Sequence, residues 1–225
     1  MPWRDWIRTV EIEPSLYAAD LSRLGEQCEV LLRTGTRIFH FDVGDGHFVP
    51  PITMGPIVLA SIAPLVHRYG GVLDCHLMVE EPQRHFEAIA EAGGDSVTVH
   101  YEACPDLPAV ARAAREQELE VGLAFKPETS PEDAVAASAP FDLVLCMSIE
   151  PGYSGQPFMP EAIPRIRRLR ELLGTAVPIQ VDGGIDNENV RSVYDAGATL
   201  FVAATAIFGR EDLPRAYRRL VQQLA

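Results

Sequence analysis

Residues 38–46 read Ile38-Phe39-His40-Phe41-Asp42-Val43-Gly44-Asp45-Gly46, with His40 and Asp42 two apart and Phe39 and Phe41 interleaved. In a strand, positions two apart share a face, so the imidazole and the carboxylate point one way and both aromatic rings the other. Such a strand fits a sheet covered by helices on one face and opening onto a polar site on the other. The run Leu73-Asp74-Cys75-His76-Leu77-Met78 repeats the pattern, with Asp74, His76 and Met78 on one face and Cys75 and Leu77 on the other. A third run, Ile179-Gln180-Val181-Asp182-Gly183-Gly184, ends in an acid followed by glycines that free the backbone to approach a ligand.

Working outward, β-rich apolar runs recur at 10–15, 37–42, 72–78, 96–100, 120–125, 143–149, 179–182 and 200–203. Helical periodicity occupies 21–32, 83–92, 108–117, 160–173, 187–196 and 213–224, with weaker helical signals at 54–67 and 131–139. Asp20 and Ser130-Pro131 are placed to open helices, and Gly93, Gly174 and Gly197 to close them. Eight strand-then-helix units without a linker predict an α/β fold, a single (β/α)8 TIM barrel spanning residues 1–225 as one domain. An open doubly wound sheet should begin with a glycine-rich turn after its first strand. This chain has Pro14-Ser15-Leu16-Tyr17 there instead.

Active groups of such barrels sit at the C-terminal ends of the strands. His40, Asp42, His76 and Asp182 all fall there, and two imidazoles with two carboxylates suit Zn²⁺ and also Fe²⁺, Mn²⁺ or Co²⁺, so ligand type alone does not select the metal, with Zn²⁺ the first expectation. One inward histidine alone would read as a hydrogen-bonded core residue. Four polar groups at strand tips outweigh that reading, because unpaired buried charge is costly. Glycine-bearing loops follow the last three strands, at Glu150-Pro151-Gly152-Tyr153-Ser154-Gly155-Gln156, at Gly183-Gly184 and at Ala204-Thr205, where backbone N–H groups can cradle an anion.

Composition excludes several classes. A formal net charge of −13 over 225 residues, with no Lys/Arg run, argues against a nucleic-acid partner. The longest apolar stretch, 55–66, is too short to span a bilayer, and the opening Met-Pro-Trp-Arg-Asp-Trp lacks the apolar segment of a secretion signal. Cys28, Cys75, Cys104 and Cys146 show no CxxC spacing, so free thiols in a reducing cytoplasm are expected.

At Pro14-Ser15, His40-x-Asp42, Asp45-Gly46-His47-Phe48-Val49-Pro50, His76-Leu77-Met78-Val79, Pro151-Gly152-x-x-Gly155-Gln156 and Val181-Asp182-Gly183-Gly184 the sequence resembles the ribulose-phosphate 3-epimerase family from end to end. The resemblance implies an isomerase of the pentose phosphate pathway that interconverts D-ribulose 5-phosphate and D-xylulose 5-phosphate through a metal-stabilised enediolate. It places one divalent ion per subunit on His40, Asp42, His76 and Asp182, and makes Asp42 and Asp182 the two groups that exchange the C3 proton. It assigns substrate contacts to Ser15, His76, Met78 and Met147, and phosphate contacts to Gly152, Tyr153, Ser154, Gly155, Gly183, Gly184, Ala204 and Thr205. A sugar phosphate is the expected partner, and a homo-oligomer the expected assembly.

Departures fall at Ser154 and Ala204-Thr205 in the phosphate loops and at Gly44, where the family carries a methionine over the site. They are expected to widen or reshape the pocket, which leaves a 3-epimerase for another ketose phosphate, such as allulose 6-phosphate, as the alternative. A non-catalytic sugar-phosphate-binding homologue is a more distant one. A metallohydrolase barrel would instead place a His-x-His pair on its first strand. Met78 and Met147 serve equally well as core filling. Lys126 and Glu150 are read as no change of function, His47 as a loop residue, and His67, His85 and His100 as structural.

Overall fold

The computed structural model describes residues 3–6 and 10–224. Along it run α1 (Trp3–Trp6), β1 (Glu11–Pro14), α2 (Leu24–Thr34), β2 (Ile38–Gly44), α3 (Pro56–Arg68), β3 (Val72–Met78), α4 (Phe86–Glu91), β4 (Ser96–His100), α5 (Leu107–Glu116), β5 (Glu120–Phe125), α6 (Pro131–Ala137), β6 (Leu143–Met147), α7 (Ala162–Leu173), β7 (Ile179–Asp182), α8 (Val190–Asp195), β8 (Leu200–Ala203), α9 (Thr205–Phe208) and α10 (Leu213–Gln223). Neighbouring strands pair in parallel in the order β1-β8-β7-β6-β5-β4-β3-β2. A parallel bridge between Ser15 and His40 joins β1 to β2. The sheet is therefore a nearly closed (β/α)8 barrel, and its seam lies at two residues that the sequence places in the site.

The alternation in β2 and β3 sorts side chains as expected. Phe39, Phe41, Cys75 and Leu77 are all 0% exposed and pack with Leu31, Leu59, Ile62 and Ile89 of the covering helices. Each fully buried ring contributes roughly 1.5–3 kcal/mol. The inner face carries a separate apolar cluster of Ile38, Ala124, Leu143, Leu145, Met147 and Leu200, and Trp3 and Trp6 of α1 pack into it. Ile38, Leu143 and Leu200 are the first residues of their strands, and the Trp3 backbone N–H donates to Glu120 Oε2 at the start of β5 (3.3 Å). Helix α1 is thus a plug in the barrel floor. The sequence reading assigned the N-terminal stretch no structure of its own; Met1 and Pro2 lie outside the described residues, as does Ala225 at the other end.

Boundaries shift modestly. Strand β2 runs on to Gly44, β6 stops at Met147, and α8 starts at Val190. Asp20 caps the 3-10 turn Leu21–Arg23 by accepting from Ser22 N–H, so α2 begins one turn later than its periodicity suggests. Ser130 caps α6 as expected, accepting from Asp133 N–H. Among the described residues no helix is long and apolar enough to cross a membrane. The four cysteines are buried free thiols, and burial pushes Cys28 and Cys104 up to about 12.

Candidate active site

Because β2, β3 and β7 reach the same end of the barrel, His40, Asp42, His76 and Asp182 converge there, each offering a ligand atom within 4.8 Å of the others. Asp42 Oδ1 lies 3.4 Å from His40 Nε2 and 3.1 Å from His76 Nδ1, and Asp182 Oδ2 lies 3.7 Å from His76 Nδ1. Asp42 Oδ2 accepts from Ser15 Oγ at 2.7 Å. Both imidazoles are 0% exposed, and His40 Nε2 is a buried polar atom without a hydrogen-bond partner. A nitrogen stranded among carboxylates is the expected position of a ligand for a divalent ion, so the donor set fits the ion that the sequence calls for.

The two acids are held at different proton affinities. Burial works against ionisation of Asp42, but His40 and His76 outweigh it and keep its carboxyl well below the usual range. Burial raises Asp182 to about 6, and the charge on Asp42 adds to the rise. Burial disfavours the imidazolium of His40, yet the neighbouring Asp42 and Asp74 carboxylates hold its proton well above the ordinary value. Carboxylates whose environments separate their proton affinities are the usual form of an acid–base pair.

Beneath this cluster lies a polar layer that sequence reasoning missed. Asp74, 0% exposed, accepts from Ser96 Oγ (2.8 Å) and Gln180 Nε2 (2.8 Å), and its Oδ2 lies 3.1 Å from His40 Nδ1. Gln180 Nε2 also donates to Glu13 Oε2 (2.5 Å), so one amide bridges two buried acids. Glu13, His40 and Asp74 are close enough to hold an ion of their own. However, Gln180 Nε2 already donates to one oxygen of each acid, and although Glu13 Oε1 and Gln180 Oε1 have no hydrogen-bond partner, this group is better described as buried polar core. Its alternation along β1, β3 and β7 was visible in the sequence; the meeting of residues 167 positions apart was not.

Burial, then the charge on Asp74, raises Glu13 well above its ordinary value of 4.5. Between those two values the folded chain keeps a proton that the unfolded chain sheds, so stability falls as pH rises. Glutamine has no such proton. E13Q is therefore expected to gain stability over wild type progressively above pH 4.5, measured as urea midpoints across pH 4 to 8. A difference that does not change with pH would show that Glu13 is ionised in the fold.

A cleft opens above the acids. Its wall contains Asp42, Asp182, Ser15, Met78, Met147, Gly152, Tyr153, Ser154, Gly155, Gly183, Gly184, Ala204 and Thr205. Thus all the expected contacts except His40 and His76, which are buried beneath the floor of the cleft, face one space. Tyr17, given no role by the sequence reading, also lines it, and burial followed by the nearby Asp42 charge raises its phenol. Gly184, at φ +64°, has no room for a side chain: a Cβ would lie 2.5 Å from Phe158 N. No Lys or Arg lines the cleft among the described residues.

Two expectations are corrected. Gly44 does not open the pocket: a Cβ there would meet Pro51 O at 2.9 Å and Val49 Cγ2 at 3.0 Å, so the 45–53 loop has folded into the space a side chain would need. Gly44 N–H instead donates to Thr53 Oγ1 (2.7 Å), which itself donates to Asp42 O (2.7 Å). His100, read as merely structural, stacks on His76 with ring centroids 5.0 Å apart and Nε2 atoms 2.9 Å apart. Its place at the tip of β4, two residues beyond the Thr98 that pairs with His76, was the available signal.

Comparison with known proteins agrees with this geometry. The sequence model described as "Ribulose-phosphate 3 epimerase family" matches residues 11–208. The ribulose-phosphate 3-epimerase of Bacillus subtilis is 36% identical over 211 residues, covering 92% of this chain and 96% of that one. That of Synechocystis sp. is 39% identical over 215 residues, covering 93% and 92%. Among solved structures, 3-hexulose-6-phosphate synthase from Salmonella typhimurium superposes with a TM-score of 0.71 at 17% identity, covering 95% of this chain and 98% of that one, a likeness of fold.

Proposed function

The chain belongs to the ribulose-phosphate 3-epimerase family, and we propose on that premise that it interconverts D-ribulose 5-phosphate and D-xylulose 5-phosphate by inversion at C3. It is an isomerase, an epimerase of ketose phosphates. The observation that carries the finer reading is the pair Asp42 and Asp182, which face one cleft with their proton affinities driven apart. Inversion next to a carbonyl needs a base on one face of C3 and an acid on the other. Asp42, ionised and oriented by Ser15 Oγ, takes the C3 proton. Asp182 delivers one to the opposite face, and the two exchange roles in the reverse direction.

His40, Asp42, His76 and Asp182 would hold one divalent ion, a donor set that suits Zn²⁺, Fe²⁺, Mn²⁺ or Co²⁺, with Zn²⁺ taken first. When bound, the ion supplies positive charge against the negative charge that develops on the sugar oxygens. With no cationic side chain in the cleft wall among the described residues, backbone N–H groups of 152–155, 183–184 and 204–205 receive the phosphate. Met78 and Met147, nearly or fully buried, wall the reacting carbon from water. Buried free thiols fit a cytoplasmic setting.

The decisive assay compares turnover of ribulose 5-phosphate with that of allulose 6-phosphate. Higher kcat/KM on ribulose 5-phosphate is expected. Higher kcat/KM on the hexulose would reassign the substrate, and no exchange of the C3 hydrogen with solvent in either sugar would overturn the epimerase mechanism.

A further inference from the structure

His40 and His76 are each anchored from behind by a different kind of partner. His40 Nδ1 lies 3.1 Å from Asp74 Oδ2, and Asp74 is already an acceptor for Ser96 Oγ and Gln180 Nε2. A carboxylate surrounded by donors has no proton to give, so the hydrogen between them resides on His40 Nδ1, which leaves Nε2, on the Asp42 side, as the nitrogen that gives up its proton to an ion. His76 is turned the other way: its Nδ1 faces Asp42 and Asp182, and its Nε2 meets His100 Nε2 at 2.9 Å.

Two imidazole nitrogens at that distance share one hydrogen, since two lone pairs or two N–H groups would repel. The far side of His100 decides which ring holds it. His100 Nδ1 faces Glu102 Oε2 at 3.4 Å, and Glu102 Oε1 accepts from Lys126 N–H (2.8 Å) and Thr129 Oγ1. Glu102 is thus an acceptor in each of these contacts, so His100 carries its hydrogen on Nδ1 and accepts from His76 at Nε2. Phe48 packs on the same ring at 4.8 Å between centroids and fixes its plane.

We propose that Asp74 and His100 are positioning residues that set the tautomers of His40 and His76, so that one presents Nε2 and the other Nδ1 to the same ion. The inference rests on the metal-bound reading of the site given above. Partners behind ligating imidazoles typically control metal affinity by about 10- to 100-fold. Here one is a carboxylate and the other a neutral imidazole backed by a carboxylate, so the two histidines differ in basicity as well as orientation.

The test uses zinc-loaded protein with ¹⁵N-labelled histidine. Ring nitrogen shifts are expected to place hydrogens on His40 Nδ1 and His76 Nε2, with zinc on the other nitrogen of each. Chelator competition should show H100L binding Zn²⁺ about 10- to 100-fold more weakly, while H100Q, whose side-chain oxygen can still accept from His76, should stay close to wild type. The opposite hydrogens in the wild type, or a folded H100L that binds Zn²⁺ as tightly as wild type, would overturn the proposal. Wild-type protein that binds no ion would sink the underlying reading and the inference with it, a result seen before any variant is made.

Discussion

D182N is expected to lower epimerisation of ribulose 5-phosphate by at least about 10³-fold, the upper part of the range for loss of a proton-transfer group. The carboxylate it removes lines the cleft, is only partly exposed and holds its proton at about 6. An amide of the same shape can neither deliver nor accept a proton at C3. Followed in D₂O, the variant should incorporate label from at most one of the two epimers, because the proton-transfer group on one face is gone. Near-normal turnover in D182N, checked to be folded by circular dichroism, would remove Asp182 from the mechanism.

H40A is expected to lose the ion. His40 Nε2 is buried without a hydrogen-bond partner, and deleting a direct ligand should raise the dissociation constant by more than the roughly 100-fold ceiling for an outer partner. Metal analysis after dialysis should find about one equivalent in wild type and far less in the variant; full occupancy in H40A would place the ion elsewhere. The same titration has a defined pH dependence. The ion must displace the proton on Asp182, held at about 6, and any on His40, which its acidic neighbours keep protonated well above the ordinary value. Affinity is therefore expected to fall by at least about tenfold per unit as pH drops below 6.

Much of this site is legible in the sequence because barrel strands convert a period of two into position. Once His40 and Asp42 share a face and end at the barrel mouth, His76 and Asp182 must join them, since parallel strands bring their C-terminal ends to one side. The supporting layer is harder to read. Asp74 and Gln180 sit on the inward faces of β3 and β7 as plainly as His76 and Asp182 do, but nothing local says that the Gln180 amide, 106 residues from Asp74, will bridge it to Glu13. His100 was discounted because a single histidine on a strand is usually core, and its meaning arises only from its distance to His76. Gly44 misled for the opposite reason: a missing side chain suggests space, whereas the chain itself returned at Pro51 to fill it.

The plug in the barrel floor has an optical consequence. The chain contains two tryptophans, Trp3 and Trp6, whose rings lie 4.8 Å apart in α1. Its indole emission therefore comes wholly from the base of the barrel, at the end away from the cleft. That signal is an intrinsic label for the seating of the first turn of chain, and a fluorescence unfolding curve would follow the base letting go rather than events at the mouth.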